Sequence, residues 1–269
     1  SFITFSTSAH ASMFCCVTEA GTEEEQVFVD AVSAHEVAIS RPLVDFGDGS
    51  TYTGQWVGDD RSGEGVQVWA DGARYSGSWR AGQFHGKGRF EQSNGDVYEG
   101  AFDKGAAHGQ GTYKQASGAT YTGGWHKDQK HGKGEEEWPD GTRYEGDYSY
   151  GDKTGFGKLK WSDGSYYEGQ FHNRRIDGAG KYHWADGRNF VGQWRQDQIH
   201  GKGTFSWPDG RSYEGEYELD KKHGMGTFIW PDGRRYEGEW AYGHQHGKGC
   251  LYKPDGSKEE GTWSQGKLL

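Results

Sequence analysis

From Tyr52 onward, large aromatic residues alternate with small or polar ones on the two-residue period of a β-strand, and the alternation restarts every 23 residues. Tyr52 returns as Tyr75, Tyr98, Tyr121, Tyr144, Tyr167, Phe190, Tyr213 and Tyr236 without an insertion or deletion. Two residues after each comes glycine (Gly54 to Gly238), and two after that a second aromatic (Trp56, Trp79, Phe102, Trp125, Tyr148, Phe171, Trp194, Tyr217, Trp240). Alternate strand residues share a face. Both rings therefore stand on one side, and the glycine between them leaves a shallow slot for a neighbouring ring. Polar residues such as Glu214 and Glu216 take the other side.

Each copy continues with Gly-x-Gly, as in His85-Gly86-Lys87-Gly88, which the pattern predicts to be a loop with backbone angles open to glycine. A second strand follows, with residues such as Phe205 and Trp207 two apart on one face, and a turn such as Pro208-Asp209-Gly210 reverses the chain. All 12 tryptophans fall at the end of the first strand or in the second, which chance placement would not produce. The expected fold is all-β, an elongated single-layer antiparallel sheet of nine stacked 23-residue hairpins. Two strands per repeat at about 4.8 Å apiece make a rod roughly 85 Å long. The nine repeats occupy 52–258, with a half repeat at 259–269. Residues 1–41 read as an acidic leader and 42–51 as a capping strand and turn, whose own partner is expected in Val27 to Ile39 as a strand or a short helix.

Composition supports a thin structure. Aromatics make up 15% of the 269 residues and Gly supplies 47 of them, yet hydrophobic residues reach only 32% and the mean hydropathy is -1.03. Such a chain is too polar for a thick core and too aromatic for disorder. The net charge of -10 comes mostly from residues 1–50, where eight acidic residues face Arg41 alone, so the repeats are close to neutral. Without a basic excess to engage phosphates, no nucleic-acid partner is expected. Cys15, Cys16 and Cys250 make no disulfide framework and suit a reducing compartment. No stretch has the length and apolarity of a transmembrane helix, and Ser1 to Ser8 lacks the basic start of a signal peptide. The expectation is a cytoplasmic protein, soluble or peripheral to a membrane. With Met13 as the start, Cys15 and Cys16 become candidates for palmitoylation, with incidental thiols as the alternative.

Tyr-x-Gly-x-Trp followed by His-Gly-x-Gly and Asp-Gly, held in register over residues 52 to 263, closely resembles the MORN repeat, the membrane occupation and recognition nexus motif. The resemblance implies a non-enzymatic scaffold at a membrane-linked or ciliary cytoskeleton. It carries two alternatives: a peripheral membrane or phosphoinositide-binding module, and an accessory module of an enzyme such as a phosphoinositide kinase. No nucleophile stands out with a base beside it, so no catalytic residue is assigned. No cofactor is expected within one chain. His244, His246 and Cys250 would suit zinc shared between two chains, in the end-to-end homodimer that the resemblance implies. The other repeat histidines (His85, His108, His131, His200, His223) recur a repeat apart, about 9–10 Å, too far to share a metal, and read as loop residues bonded to backbone.

A one-sheet rod has no second layer, so its rings line an open face unless a partner or their own neighbours cover them. Gln92, Gln115 and Glu136 interrupt the second-strand aromatics in the second to fourth repeats, whereas the fifth to eighth carry Leu159/Trp161, Tyr182/Trp184, Phe205/Trp207 and Phe228/Trp230. A protein partner, as an extended peptide or an amphipathic helix, is expected on the aromatic face, along that richer stretch, or at the ends of the rod. The residues expected to meet it are Tyr144, Tyr148, Trp161, Tyr167, Phe171, Tyr182, Trp184, Phe190, Trp194, Phe205, Trp207, Tyr213, Tyr217, Phe228 and Trp230. Arg174, Arg175, Lys221 and Lys222, on the Gly-x-Gly edge, are the candidates for an anionic membrane surface, with Asp128, Asp177, Asp197 and Asp220 opposing the basic residues of that edge.

Overall fold

A computed structural model describes residues 37–269. Strand β1 (Ile39–Asp45) precedes the first repeat, which is built from β2 (Thr51–Val57) and β3 (Asp60–Val68). Every later repeat reuses the same seven-residue and nine-residue strands, such as Arg74–Arg80 with Gln83–Glu91. Strands pair antiparallel with their neighbours in sequence, giving one open 21-stranded sheet, roughly 100 Å along its axis at 4.8 Å per strand. No helix occurs among the described residues. The capping strand starts at Ile39 rather than 42 and pairs with β2, its register shifting between Arg41 and Val44, where Pro42 lacks a donor. Residues 27–36, in the segment where its other partner was expected, and Cys15 and Cys16 lie outside the described residues.

The expected Gly-x-Gly loop is instead part of the second strand. The chain reverses earlier, through two-residue turns such as Ala81-Gly82, both left-handed with φ of 47° and 75°, the geometry that matches the twist of a hairpin. Gly77 lies opposite Gly88 and Trp79 opposite Phe84, which leaves residues 85–87 facing Ser78 alone. Gly86, at φ 64°, is therefore the bend of a β-bulge. The constant glycines mark the bulge, while the true turn takes residues as different as Lys127-Asp128 and Asn173-Arg174.

The second glycine of each motif has another task. In the fifth repeat Gly146 and Gly157 are cross-strand partners, and the ring of Tyr144 lies across both of them. The slot read from the sequence is thus filled by the repeat's own tyrosine. Its hydroxyl donates to the carbonyl three residues on, as in Tyr75 to Ser78 at 2.8 Å and Tyr98 to Ala101 at 2.9 Å. Each leading ring is then held edge-on by two others. Tyr52 meets Trp56 at 5.1 Å and Trp79 of the next repeat at 5.4 Å, and the ladder runs on to Tyr236 between Trp240 and Trp263. Trp79 Nε1 also donates to the Gly65 carbonyl in the repeat before, and Trp125 likewise to Gly111. At roughly 0.5–1.5 kcal/mol per ring pair beyond area burial, this ladder stabilises the rod far more than the opposite face does. There, exposed pairs such as Arg143–Glu135 and Lys158–Glu168 contribute about 0–1 kcal/mol each.

Candidate functional site on the aromatic face

The rings divide into a covered floor and a half-open row. Tyr144, Tyr167, Phe190 and Tyr213 are fully buried, and Tyr148, Phe171, Trp194 and Tyr217 nearly so. These eight were expected to meet a partner; the ladder covers them instead, because each is clasped edge-on from two sides. Phe205 and Phe228 are buried as well. Trp161, Tyr182, Trp184, Trp207 and Trp230 are half-buried, packed against that floor with part of each ring open to water. Ring contacts join them through the two phenylalanines into one row: Trp161–Tyr182 at 5.1 Å, Tyr182–Trp184 at 4.3 Å, Trp184–Phe205 at 5.1 Å, Phe205–Trp207 at 4.3 Å, Trp207–Phe228 at 5.8 Å and Phe228–Trp230 at 4.5 Å. Arg188, Arg211 and Arg234 lie over Trp184, Trp207 and Trp230 at 5.2–5.3 Å, each steered by the turn aspartate two residues before it.

Towards the N-terminal end the row gives way to a polar cluster. Glu136 stands where later repeats carry Leu159, Tyr182 or Phe205, and it binds Lys130, Lys153 at 3.3 Å and the Tyr148 hydroxyl at 2.9 Å. Burial would push its carboxyl up, but Lys130 and Lys153 outweigh burial and hold it below the ordinary range. Burial draws Lys153 below the ordinary lysine value. Arg61, at the same repeat position as those lysines, is similarly satisfied by Gln67 at 2.7 Å.

On the two-residue-turn edge Arg174 is paired with Asp152 and Arg175 with Asp197 at 3.8 Å, while Lys221 is exposed. The neighbouring acids are already engaged. Asp128, Asp197 and Asp220 each accept the backbone N–H of a residue one repeat earlier (Ala107, Ile176 and Ile199). Lys222 does not belong to this edge. It is the cross-strand partner of Tyr217, so its side chain lies on the aromatic face, over Phe228 at 4.3 Å, Trp240 at 4.8 Å, Tyr213 at 5.2 Å and Trp207 at 5.4 Å. Counting from the tyrosine with the bulge in place separates it from Lys221; reading Gly-x-Gly as a loop concealed that.

The repeat histidines lie in strands, not in loops. His85 faces Asp103 at 3.5 Å, and His223 faces Glu218 at 3.5 Å. His126 stands between His108 and His131, with ring centroids 5.1 and 5.6 Å away. It escaped the repeat reading because this position is occupied by histidine in one other copy alone, His172, and by different residues in the rest. Desolvation, then His108, holds it below the ordinary imidazole value. Among the described residues no group of three or more His, Cys, Asp or Glu is placed to hold a metal ion. His244, His246 and Cys250 share one strand, His244–Tyr252, whose six-residue span from His244 to Cys250 is about 20 Å. One chain does not gather them, so the zinc idea stays an interchain proposal.

The MORN repeat model matches nine consecutive segments: 52–74, 75–97, 98–120, 121–143, 144–166, 167–187, 190–210, 213–234 and 236–258. The chain belongs to the MORN repeat family. No curated protein matches it in sequence. Among solved structures the MORN array is similar to the TCP10 domain of Danio rerio CPAP in complex with a peptide of Danio rerio STIL, at 16% identity, 75% coverage of this chain, 96% of that chain and a TM-score of 0.42. It is similar also to the G-box domain of the microcephaly protein CPAP, at 16% identity, 75% and 100% coverage and a TM-score of 0.40.

Within the MORN array Lys222 is the ammonium whose environment costs most. Burial, then Arg211, pulls its pKa down to about 8. Between pH 8 and the ordinary lysine value the unfolded chain therefore holds more protons than the fold, so this group makes the fold more stable as pH rises through that window and penalises it fully below pH 8. Relative to Lys222→Met, the wild-type chain is expected to gain about 1–2 kcal/mol between pH 7 and pH 9.5, after allowance for solvent screening. Urea unfolding of both proteins across that range is the check, and parallel profiles would show that Lys222 is not so placed.

Proposed function

We propose that this MORN array is a protein-binding scaffold whose partner lays an extended segment or the apolar side of a helix along the Trp161–Trp230 row. The observation that carries the reading is the continuity of that row: half-buried rings, linked through the buried Phe205 and Phe228, run across four repeats on a face with no second layer. Rings of this kind anchor partners well, since tryptophan brings large apolar area at small entropic cost. The paired state of Arg174 and Arg175 supports a protein rather than an anionic membrane as the occupant. The setting implied by the family, a membrane-linked or ciliary cytoskeleton, belongs to the same proposal, as does a homodimer.

Affinity purification of the full chain from native cells, alongside a Trp184→Ala/Trp207→Ala variant, tests this. Wild-type protein is expected to retain a specific protein that the double variant loses by at least about tenfold, the scale of hot-spot truncation. Circular dichroism would confirm that the variant is folded. Recovery of no protein, together with strong binding to phosphoinositide-containing vesicles that Arg174 and Arg175 substitutions weaken, would overturn the reading in favour of the membrane alternative.

A further inference from the structure

The fifth and eighth repeats place the same two groups side by side and complete them differently. In the fifth, Tyr148 and Lys153 are cross-strand partners. The carboxylate of Glu136, from the repeat before, accepts the Tyr148 hydroxyl at 2.9 Å and pairs with Lys153 at 3.3 Å. In the eighth, Tyr217 and Lys222 are cross-strand partners in the same register, but the position of Glu136 is taken by Phe205. The Tyr217 hydroxyl is consequently buried without a hydrogen-bond partner. The Lys222 ammonium has four rings around it, Arg211 as its charged neighbour, and no carboxylate within ion-pairing distance among the described residues. Rings offer a cation their negative faces, worth roughly 0.5–2 kcal/mol, but they accept none of its three strong hydrogen bonds.

We infer that Lys222 is the receptor for a carboxylate from the partner, an Asp or Glu side chain in an otherwise apolar segment lying on the Trp161–Trp230 row. The inference rests on the proposed protein-binding role of that row and specifies the chemistry of its occupant. Charge complementarity decides the class of residue: the face presents one unpaired ammonium among rings, with Lys222 over the same Trp207 that belongs to the row. The row spans three repeat spacings, close to 30 Å, which about nine extended residues cover. An acidic residue near one end of such a segment, opposite the eighth repeat, completes the arrangement that Glu136 makes within the chain. Because the free ammonium sits in a desolvated setting, pairing would restore its proton affinity, so binding near pH 8.5 would take up a proton.

The test uses the full chain and a displayed library of random peptides about twelve residues long, enough to cover the row. Selected peptides are expected to carry Asp or Glu beside aromatic or aliphatic residues. Lys222→Met, which keeps the apolar stem, should weaken them about tenfold or more, whereas Lys222→Arg should stay within about threefold, consistent with a charge-assisted hydrogen bond. Replacing the peptide's acid by its amide should cost the wild-type protein the same factor and cost Lys222→Met nothing, which separates a direct pair from a folding defect. Proton uptake near pH 8.5, read calorimetrically in buffers of different ionisation enthalpy, should disappear in Lys222→Met. Peptides that depend on Trp184 but show no acidic preference and no loss with Lys222→Met would overturn this inference and leave the row intact. Failure to select any peptide that depends on Trp184 would overturn both.

Discussion

Gly157→Ala is expected to lower the stability of the array by about 3 kcal/mol or more, a larger effect than core overpacking alone usually gives. A Cβ at Gly157 would lie 2.6 Å from the Tyr144 hydroxyl oxygen and 2.7 Å from Cε2 of the same ring, and Tyr144 is fully buried between Tyr148 and Phe171. The ring has no free direction in which to give. Its cross-strand partner Gly146 is as tight, since a Cβ there would stand 2.6 Å from the Gly157 Cα, so Gly146→Ala should behave alike. Gly141→Ala is the contrast. Its Cβ would meet nothing within 4 Å, and only the left-handed φ of 84° opposes it, at a cost of about 1 kcal/mol. Because repeats contact only their neighbours, damage in the fifth should also divide unfolding into two steps. Urea denaturation followed by tryptophan fluorescence, with hydrogen exchange to locate the weak hairpin, is the measurement. Equal effects at Gly157 and Gly141 would mean that the ring does not lie across the glycine pair.

Alkaline unfolding should be equally severe. Burial pushes the phenols of Tyr75, Tyr98, Tyr121, Tyr144, Tyr167 and Tyr213 far above their ordinary value and that of Tyr236 up to about 12. A phenol with its folded pKa raised binds its proton more firmly in the fold. Its contribution is therefore complete below pH 10 and is lost as pH climbs from there towards the folded value. Each tyrosine subtracts up to about 1.4 kcal/mol per pH unit in that window. Seven acting together subtract up to about 10 kcal/mol per pH unit above pH 10, comparable with the whole stability of a typical domain, so the rod should unfold within about one pH unit. Tyrosinate absorbance from the ladder and far-ultraviolet circular dichroism are expected to change in the same step. Gradual ionisation near pH 10 with the sheet intact would mean that the leading rings are open to water.

Both predictions turn on residues that the 23-residue pattern singles out, and their roles were only half legible there. The alternation from Tyr144 to Tyr148 assigned strand and face correctly, because strand periodicity is a local property of the backbone. Which ring fills the glycine slot is not local. Tyr144 turns back over Gly146 and Gly157 because its hydroxyl reaches the Asp147 carbonyl and because Phe171, one repeat on, closes the other side. The same holds for Gly-x-Gly. A glycine that permits left-handed backbone was expected, but only strand pairing distinguishes a bulge from a turn.

Taken by itself, then, the chain's repeat determined an all-β rod of nine hairpins, its aromatic and polar faces and its family, since each depends on period and residue type within one repeat. Tertiary structure decided exposure and partnership. It buried Tyr213 and Tyr217 while leaving Trp184 and Trp207 half-open, engaged Asp197 and Asp220 with backbone, and moved Lys222 from a charged edge onto the rings without a carboxylate. Those outcomes follow from contacts between residues one or more strands apart, where the neighbour's side chain, and not the residue's own, sets how much water and which charge it meets.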